Sequence, residues 1–387
     1  MRTIRRLGEP SAAADPGQPT DPFDPSAPRG GGRDDGRLSG ANKLVLAMFF
    51  FILVAAVAGS LVHLPYAVMS PGPIVNTLGT TGSGDDATPL IEVTGLPSYP
   101  AKGQLDFTTV RVTGGPSYPV DAWDVVEAWL DSTRAVLPVD EVFDPTVTEK
   151  QVEQESAVQM ASSQEEATAV ALRAIGQKVP TYIVVSDIVE ASKATGLLQK
   201  QDRLVSVGGE PVTDGQSIRT AIQKVTPGDP VTIGVVRDGK PLTVSVPTIR
   251  TDTGQTAIGV LLAMQHDFPA TVTINAGDVG GPSAGLMFSL GIYDTLTPGD
   301  LTGGIQVAGT GTIDDAGVVG PIGGIRQKLA GARAGGAGYF LAPASNCKDV
   351  VGHVPDGLEV FKVATFAEAR VAVEAIASKQ TGSLPRC

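Results

Sequence analysis

Two stretches of the sequence carry residue types and spacings from which a reactive centre can be assembled. Residues 271–290 read TVTINAGDVGGPSAGLMFSL. Val272 and Ile274 suit a strand, and Gly277, Gly280 and Gly281 suit a turn using backbone conformations that other residues avoid. A helix is expected from about Ser283. That would place Ser283 at a helix N-terminus, where free N–H groups and the helix dipole favour a developing oxyanion. A serine in this position also fits a plain helix cap. A phosphate-binding loop is a further reading, but the chain has no Gly-x-x-x-x-Gly-Lys-Ser/Thr pattern and no Lys follows the turn. The second stretch, 305–343, reads IQVAGTGTIDDAGVVGPIGGIRQKLAGARAGGAGYFLAP. Here Gly323-Gly324 opens a helix carrying Lys328, and Gly335-Gly336 ends it before a strand at 339–341. Ile325, Leu329 and Ala332 neighbour Lys328 on that helix, so part of its stem can face apolar surface. A solvated surface lysine is the ordinary alternative.

Taken together, GPSAG at 281–285, Thr310-Gly311, GxVGPIGGI at 317–325 and Lys328 followed by an Ala- and Gly-rich helix resemble the proteolytic domain of Lon proteases. They resemble more closely still the membrane-anchored, PDZ-containing Lon-like serine proteases of bacteria. Ser283 and Lys328 stand 45 residues apart, as that family expects. The resemblance implies that Ser283 is the nucleophile and Lys328 the general base, made neutral by burial. It implies that Thr310 orients the lysine and that backbone around Gly281, Pro282, Ser283 and Ala284 supports the oxyanion. The family often has Asp three residues before the serine; here that position is Gly280, and Asp278 is shifted from it.

The elements that must position these residues lie on both sides of a compositionally distinct segment. Residues 178–250 alternate short strands with Gly turns and include one helix, Gln216 to Lys224. The Ala- and Gly-Leu-Leu-containing turn at 191–198 (ASKATGLL), DRLVSVGG at 202–209 and the hairpin from Gly228 through VVRDG at 235–239 resemble a PDZ domain. Such folds take up an extended peptide at a sheet edge. A Gly-Leu-Gly-Phe-type carboxylate loop is not obvious, and Pro180-Thr181-Tyr182-Ile183 stands near its place. Packing or gating is the alternative role. Before this segment, GQLDFTTVRVTGG reads as a strand and 149–176 as a long helix ended by Gly176. Both resemble the opening elements of a Lon proteolytic domain, so the PDZ-like segment is expected to be inserted into the protease domain. In residues 121–135, Trp123, Val126 and Leu130 share one helical face, expected to pack in the core.

Residues 1–43 are rich in Pro, Gly, Ser, Ala, Asp and Arg, and read as a disordered cytoplasmic tail. Residues 44–64 are apolar and, as a helix, span roughly 31 Å, about one hydrocarbon core. A cleaved signal peptide is the alternative. Arg29, Arg33, Arg37 and Lys43 precede the span and Lys102 is the next Lys or Arg after it, which places the N-terminus in the cytoplasm and residues 65–387 outside the cell membrane. The domain expectation is therefore a tail at 1–43, a transmembrane helix at 44–64, protease elements at 65–177, a PDZ-like domain at 178–250 and the catalytic domain at 251–387. The implied class is α+β, a Lon-type (ribosomal protein S5 domain 2-like) domain beside a PDZ-like, partly open β-barrel.

A formal net charge of −12 with no basic block beyond the tail argues against a nucleic-acid partner. His63, His266 and His353 are dispersed, and two cysteines cannot make a four-cysteine zinc site, so no metal or cofactor is expected. Cys347 and Cys387 pair in an oxidising compartment or remain free thiols. The expected partners are protein or peptide substrates and the membrane, with a homo-oligomer suggested by the ring-forming habit of Lon-like domains. Two function classes stay open: an ATP-independent endopeptidase, and a non-catalytic PDZ scaffold or envelope sensor with a retired protease domain. Intact Ser283, Lys328 and Thr310 favour the first.

Overall fold

The computed structural model describes residues 40–387 apart from 83, 85, 86, 116, 117, 145, 191, 252 and 278. The tail at 1–39 and Asp278 thus lie outside the described residues. The apolar run forms helix α1 (Gly40–Leu61), long and apolar enough to cross a membrane. It ends earlier than the 44–64 expectation, because His63–Leu64 turns out as a strand, β1.

Residues 59–387 form one compact unit. Its first elements are β2 (Tyr66–Asn76), β3 (Ile91–Thr94), β4 (Gln104–Thr113), β5 (Val120–Asp121), α2 (Ala122–Leu130), β6 (Ala135–Pro138) and α3 (Glu149–Ala174). Then come β7 (Thr181–Ile188), β8 (Arg203–Val207), α4 (Gly215–Gln223), β9 (Pro230–Arg237), β10 (Lys240–Pro247) and β11 (Val260–His266). The chain continues through β12 (Thr271–Ile274), α5 (Gly285–Leu296), β13 (Gln306–Gly309), β14 (Thr312–Ile313), β15 (Val319–Gly320), α6 (Ile325–Ala334), β16 (Tyr339–Pro343), β17 (Glu359–Val363) and α7 (Phe366–Ala377).

The main sheet has the order β17-β16-β13-β4-β2-β6. β4, β13, β16 and β17 are mutually parallel, while β2 is antiparallel to β4 and β6. It is a mixed sheet with helices on both faces, so side chains alternate between two cores. Leu105, Phe107, Val307, Leu341 and Phe361 face α3, α5 and α7, where the Phe107 and Phe288 rings meet edge-on at 5.2 Å. Ala308, Phe340, Ala342 and Val360 face α6 with its Ile325, Leu329 and Ala332. Fully burying each large apolar side chain contributes about 1.5–3 kcal/mol. Residues 181–266 interrupt this sheet in sequence.

That interrupting segment has its own sheet, β10-β9-β8-β7-β11, and its own core around Val185, Leu204, Ile218 and Ile233. The Asp238-Gly239 turn, with both φ values positive, joins β9 to β10 with Arg237 opposite Lys240, as the right-handed strand twist favours. Buried Asp202 accepts two bonds from Arg237, at 2.7 and 2.6 Å, which accounts for the DRLV and VVRDG motifs occurring together. Two expectations change here. The sheet does not stop at residue 250, because β11 pairs with β7 along its length through His266. Its ends, β10 and β11, are not joined, so among the described residues it is an open sheet with no barrel closure. At the junction with the main body, His266 sits between Glu165 of α3 (Nδ1 to Oε1, 2.9 Å) and Asp315 (Nε2 to Oδ1, 2.5 Å), and Arg173 holds Asp315 at 2.8 Å. Cys347 and Cys387 form a disulfide, with Cα atoms 5.0 Å apart.

Candidate active site

β4 and α6 supply the floor of the site. Thr108 lies on the α6-facing side of β4, one alternation from the inward Phe107. α6 starts where Gly324 takes φ +67°, and a Cβ there would strike Met69 and Val110, so glycine lets the helix start against β2 and β4. Asn346, buried, brackets the loop before α6 by accepting from Ile322 N–H and donating to its carbonyl (both 2.9 Å).

From α6, Lys328 projects between helix and sheet and is 2% exposed. Its Nζ lies 2.7 Å from Ser283 Oγ, 2.9 Å from Thr310 Oγ1 and 3.0 Å from the Thr108 carbonyl. Burial pulls the ammonium down from its usual value near 10.5 to about 7. A neutral amine has two N–H donors and one lone pair. The Thr108 carbonyl can only accept. Thr310 Oγ1 spends its own proton on the Ser283 carbonyl (3.0 Å), so it too accepts from Lys328. Both N–H groups are then committed, and the lone pair faces Ser283 Oγ. The arrangement can withdraw the serine proton.

Ser283 itself is half-buried in the turn before α5. The helix starts two residues later than expected, at Gly285, and Ala284 caps it with no side-chain bond. Ser283 therefore does not act as a helix cap. Its carbonyl is held by Thr310 and by Gly311 N–H (2.9 Å). Gly281 has φ +84°, and its N–H donates to the Ser156 carbonyl at 3.2 Å, so that N–H is committed. Ser163 donates to the Pro282 carbonyl at 3.0 Å, and a Cβ at Gly285 would meet Ser163 and Ile313. Two residues of α3, Ser156 through its carbonyl and Ser163 through its hydroxyl, thus fix the turn that carries Ser283. At Gly280, a Cβ would fall 2.9 Å from that of Ser156, so the acidic residue common at this position has no room unless α3 shifts.

A cleft of about 270 Å³ opens over these groups, lined by Pro73, Thr108–Arg111, Met160, Val279, Gly280, Gly281, Ser283, Ala284 and Lys328. Beyond Phe107, β4 no longer pairs with β13, while its other edge stays paired with β2. The Thr108 carbonyl faces Lys328 and Arg111 O faces β2, so the N–H and C=O of Val110 point into the cleft. Among the described residues no cluster of His, Cys, Asp or Glu is placed to hold a metal ion.

A second groove, of about 490 Å³, runs between α4 and β11 and is lined by Ile218, Ile222, Ile258, Val260 and Leu262. Thr181-Tyr182-Ile183, which the sequence placed near the carboxylate loop, lies instead in interior strand β7. The loop beside the groove is Ala257-Ile258-Gly259, with Gly259 at φ +66° pressed against Ser192.

The sequence comparisons find two kinds of domain. Residues 157–248 match the PDZ domain family model, and residues 242–375 match the Lon protease (S16) C-terminal proteolytic domain. The first match begins inside α3, whose Ala167–Leu172 turns are buried in the core beneath the main sheet. Lon protease 2 of Bacillus subtilis (strain 168) is 36% identical over 104 residues, 26% of this chain and 17% of that protein. Lon protease of Azospirillum brasilense is 37% identical over 116 residues, 28% of this chain and 14% of that protein. The chain thus spans less than a fifth of the length of these curated relatives. The PDZ domain of the SdrC-like protein from Listeria monocytogenes is 19% identical, covering 21% of this chain and 87% of that one at a TM-score of 0.20. Its counterpart from Listeria innocua is 23% identical, covering 22% and 99% at a TM-score of 0.21. The chain carries a PDZ domain and a Lon-type proteolytic domain.

Proposed function

We propose that this chain, with its Lon-type proteolytic domain and PDZ domain, is a membrane-anchored, ATP-independent serine endopeptidase acting through a Ser283–Lys328 dyad on extracytoplasmic proteins. The observation that carries the reading is the buried Lys328 Nζ standing 2.7 Å from Ser283 Oγ, with the Thr108 carbonyl and Thr310 Oγ1 as its other two partners. Attack of Oγ on the peptide carbonyl transfers the serine proton to Nζ, giving an ammonium that Thr108 and Thr310 already embrace. That ammonium returns the proton to the leaving amine, and a water then repeats the sequence on the acyl-enzyme. Backbone N–H groups of Ser283 and Ala284, at the start of α5, are the oxyanion donors, since Gly281 N–H is engaged.

The substrate adds to the free edge of β4, anchored on Val110. The open edge of β11 and the apolar wall of α4 take a further extended segment in the PDZ groove. With no Walker motif in the chain, substrates are flexible or already extended. α1 anchors the protein, and the basic residues before it keep the N-terminus cytoplasmic. The test is casein cleavage by the detergent-solubilised full chain: Ser283→Ala should be inert with unchanged folding. Turnover by Ser283→Ala would sink the proposal.

A further inference from the structure

Helix α2 carries an apolar face that the core does not use. Its residues sort into three arcs at 100° per residue. Val125 and Ala128 are buried against the body. Asp124, Glu127 and Asp131 form an acidic arc, two of them paired with Arg134 at 3.1 Å. The third arc, about 120° wide, holds Trp123, Val126, Trp129 and Leu130, exposed by 47%, 41%, 71% and 85%. The face expected to enter the core is thus turned outward, and small residues do the packing.

The position of this face names its occupant. β5 leads directly into α2, and Asp121, its N-cap, pairs with His63 of β1, two residues past the end of α1. Paired strand residues stand about 5 Å apart. The indole of Trp123 lies over Gly59, where a Cβ would collide with it. If α1 crosses the bilayer, the first turn of α2 is held at the level where the chain leaves it. Tryptophans are favoured at that depth, with the ring in the acyl boundary and the N–H near the headgroups.

We infer that α2 lies on the outer surface of the bilayer that α1 spans, with Val126, Trp129 and Leu130 inserted in its interfacial zone. This rests on the reading of α1 as a retained anchor. The contact is apolar. With Asp124, Glu127 and Asp131 alongside, anionic headgroups weaken it. Such a contact fixes the catalytic body at a set height and tilt above the membrane, so substrates are segments within reach of that surface.

The chain has two tryptophans, both on this arc, so intrinsic fluorescence reports it directly. The full chain is reconstituted in zwitterionic vesicles with lipids spin-labelled at shallow or deep acyl positions, and in parallel with acrylamide in the water. The expected result is loss of emission to the shallow label, much less to the deep one, and protection from acrylamide. Trp123→Phe and Trp129→Phe, each leaving one reporter, should give the same depth. Added anionic lipid should lessen the loss. Quenching by acrylamide alone would overturn the inference by placing α2 in water. Protection from every quencher would overturn it in favour of a second copy covering the face. Alkaline extraction of the chain from the vesicles would remove the anchor reading, whereas an alkali-resistant chain with acrylamide-accessible tryptophans removes only this one.

Discussion

The two grooves of the 59–387 body are built in opposite ways. The cleft over Ser283 and Lys328 is assembled from chain segments far apart in sequence, Thr108 meeting Lys328 across 220 residues, and it buries a titratable group. The PDZ groove is made by α4 and β11, near neighbours in the chain, and is lined by aliphatic side chains over an open strand edge. Geometry is costly to hold in the first and cheap in the second. The cleft should fail abruptly under small chemical changes, whereas the groove should weaken by degrees.

The sharpest test of this contrast is at the dyad. Ser283→Ala, Lys328→Ala and Lys328→Arg should each lower cleavage of an unstructured protein by at least about 10⁴-fold, since groups acting as a unit are lost as a unit. Arg stays protonated and cannot serve as a base. Thr310→Val should cost on the order of 10–100-fold in kcat by releasing the lysine from its aim, and Thr310→Ser should restore most of it. Equal kcat for Val and Ser would show that Thr310 does not position the amine.

Burial of Lys328 also ties stability to pH. Its folded value, about 7, lies below the unfolded value near 10.5, so between the two the unfolded chain binds more protons. Stability from this group therefore rises with pH through that window and is least below 7. Lys328→Met should raise the midpoint of thermal unfolding at pH 6, by the equivalent of about 5 kcal/mol, and the gain should vanish once the pH passes the unfolded value near 10.5. A pH-independent gain would mean the lysine is not the titrating group.

The groove should respond more mildly. Leu262→Asn should weaken an apolar extended peptide by about 1–2 kcal/mol, read by calorimetric titration, while a short chromogenic ester, too small to reach the groove, is hydrolysed as before. Loss of ester turnover would show that the two grooves are not separable. Smallest in effect on catalysis is Cys347→Ser. Opening the loop to Cys387 should cost about 2–4 kcal/mol of stability, seen as a lower unfolding temperature that reductant no longer shifts, with kcat unchanged.

What could be read from the sequence follows the same contrast. Ser283, Thr310 and Lys328 meet through their side chains, and they lie in motifs whose glycines are themselves diagnostic, so this cluster was legible from residue types. Thr108 and Ser156 contribute carbonyls that any residue could supply, and Ser163 holds the turn before Ser283 from a helix where serine carries no special signal. β11 escaped because VLLAMQH is a nearly continuous apolar run with no alternation to mark which sheet it joins. For α2 the helical spacing was legible but its orientation was not: Val125 and Ala128 fit against β6 and β2, and periodicity alone does not say which of two apolar arcs meets the body. That the PDZ-like sheet takes up a strand beyond residue 250 was hidden for the related reason that this strand comes after its hairpins, across an intervening loop.

The most direct test of the central claim is covalent. The full chain is treated with a fluorophosphonate across a range of pH, and the adduct is mapped by mass spectrometry. A single adduct on Ser283 is expected, forming faster as pH rises through about 7 and then levelling as Lys328 becomes neutral, with Lys328→Arg unlabelled throughout. An adduct on another residue, or labelling of Lys328→Arg at the unmodified rate, would contradict the account.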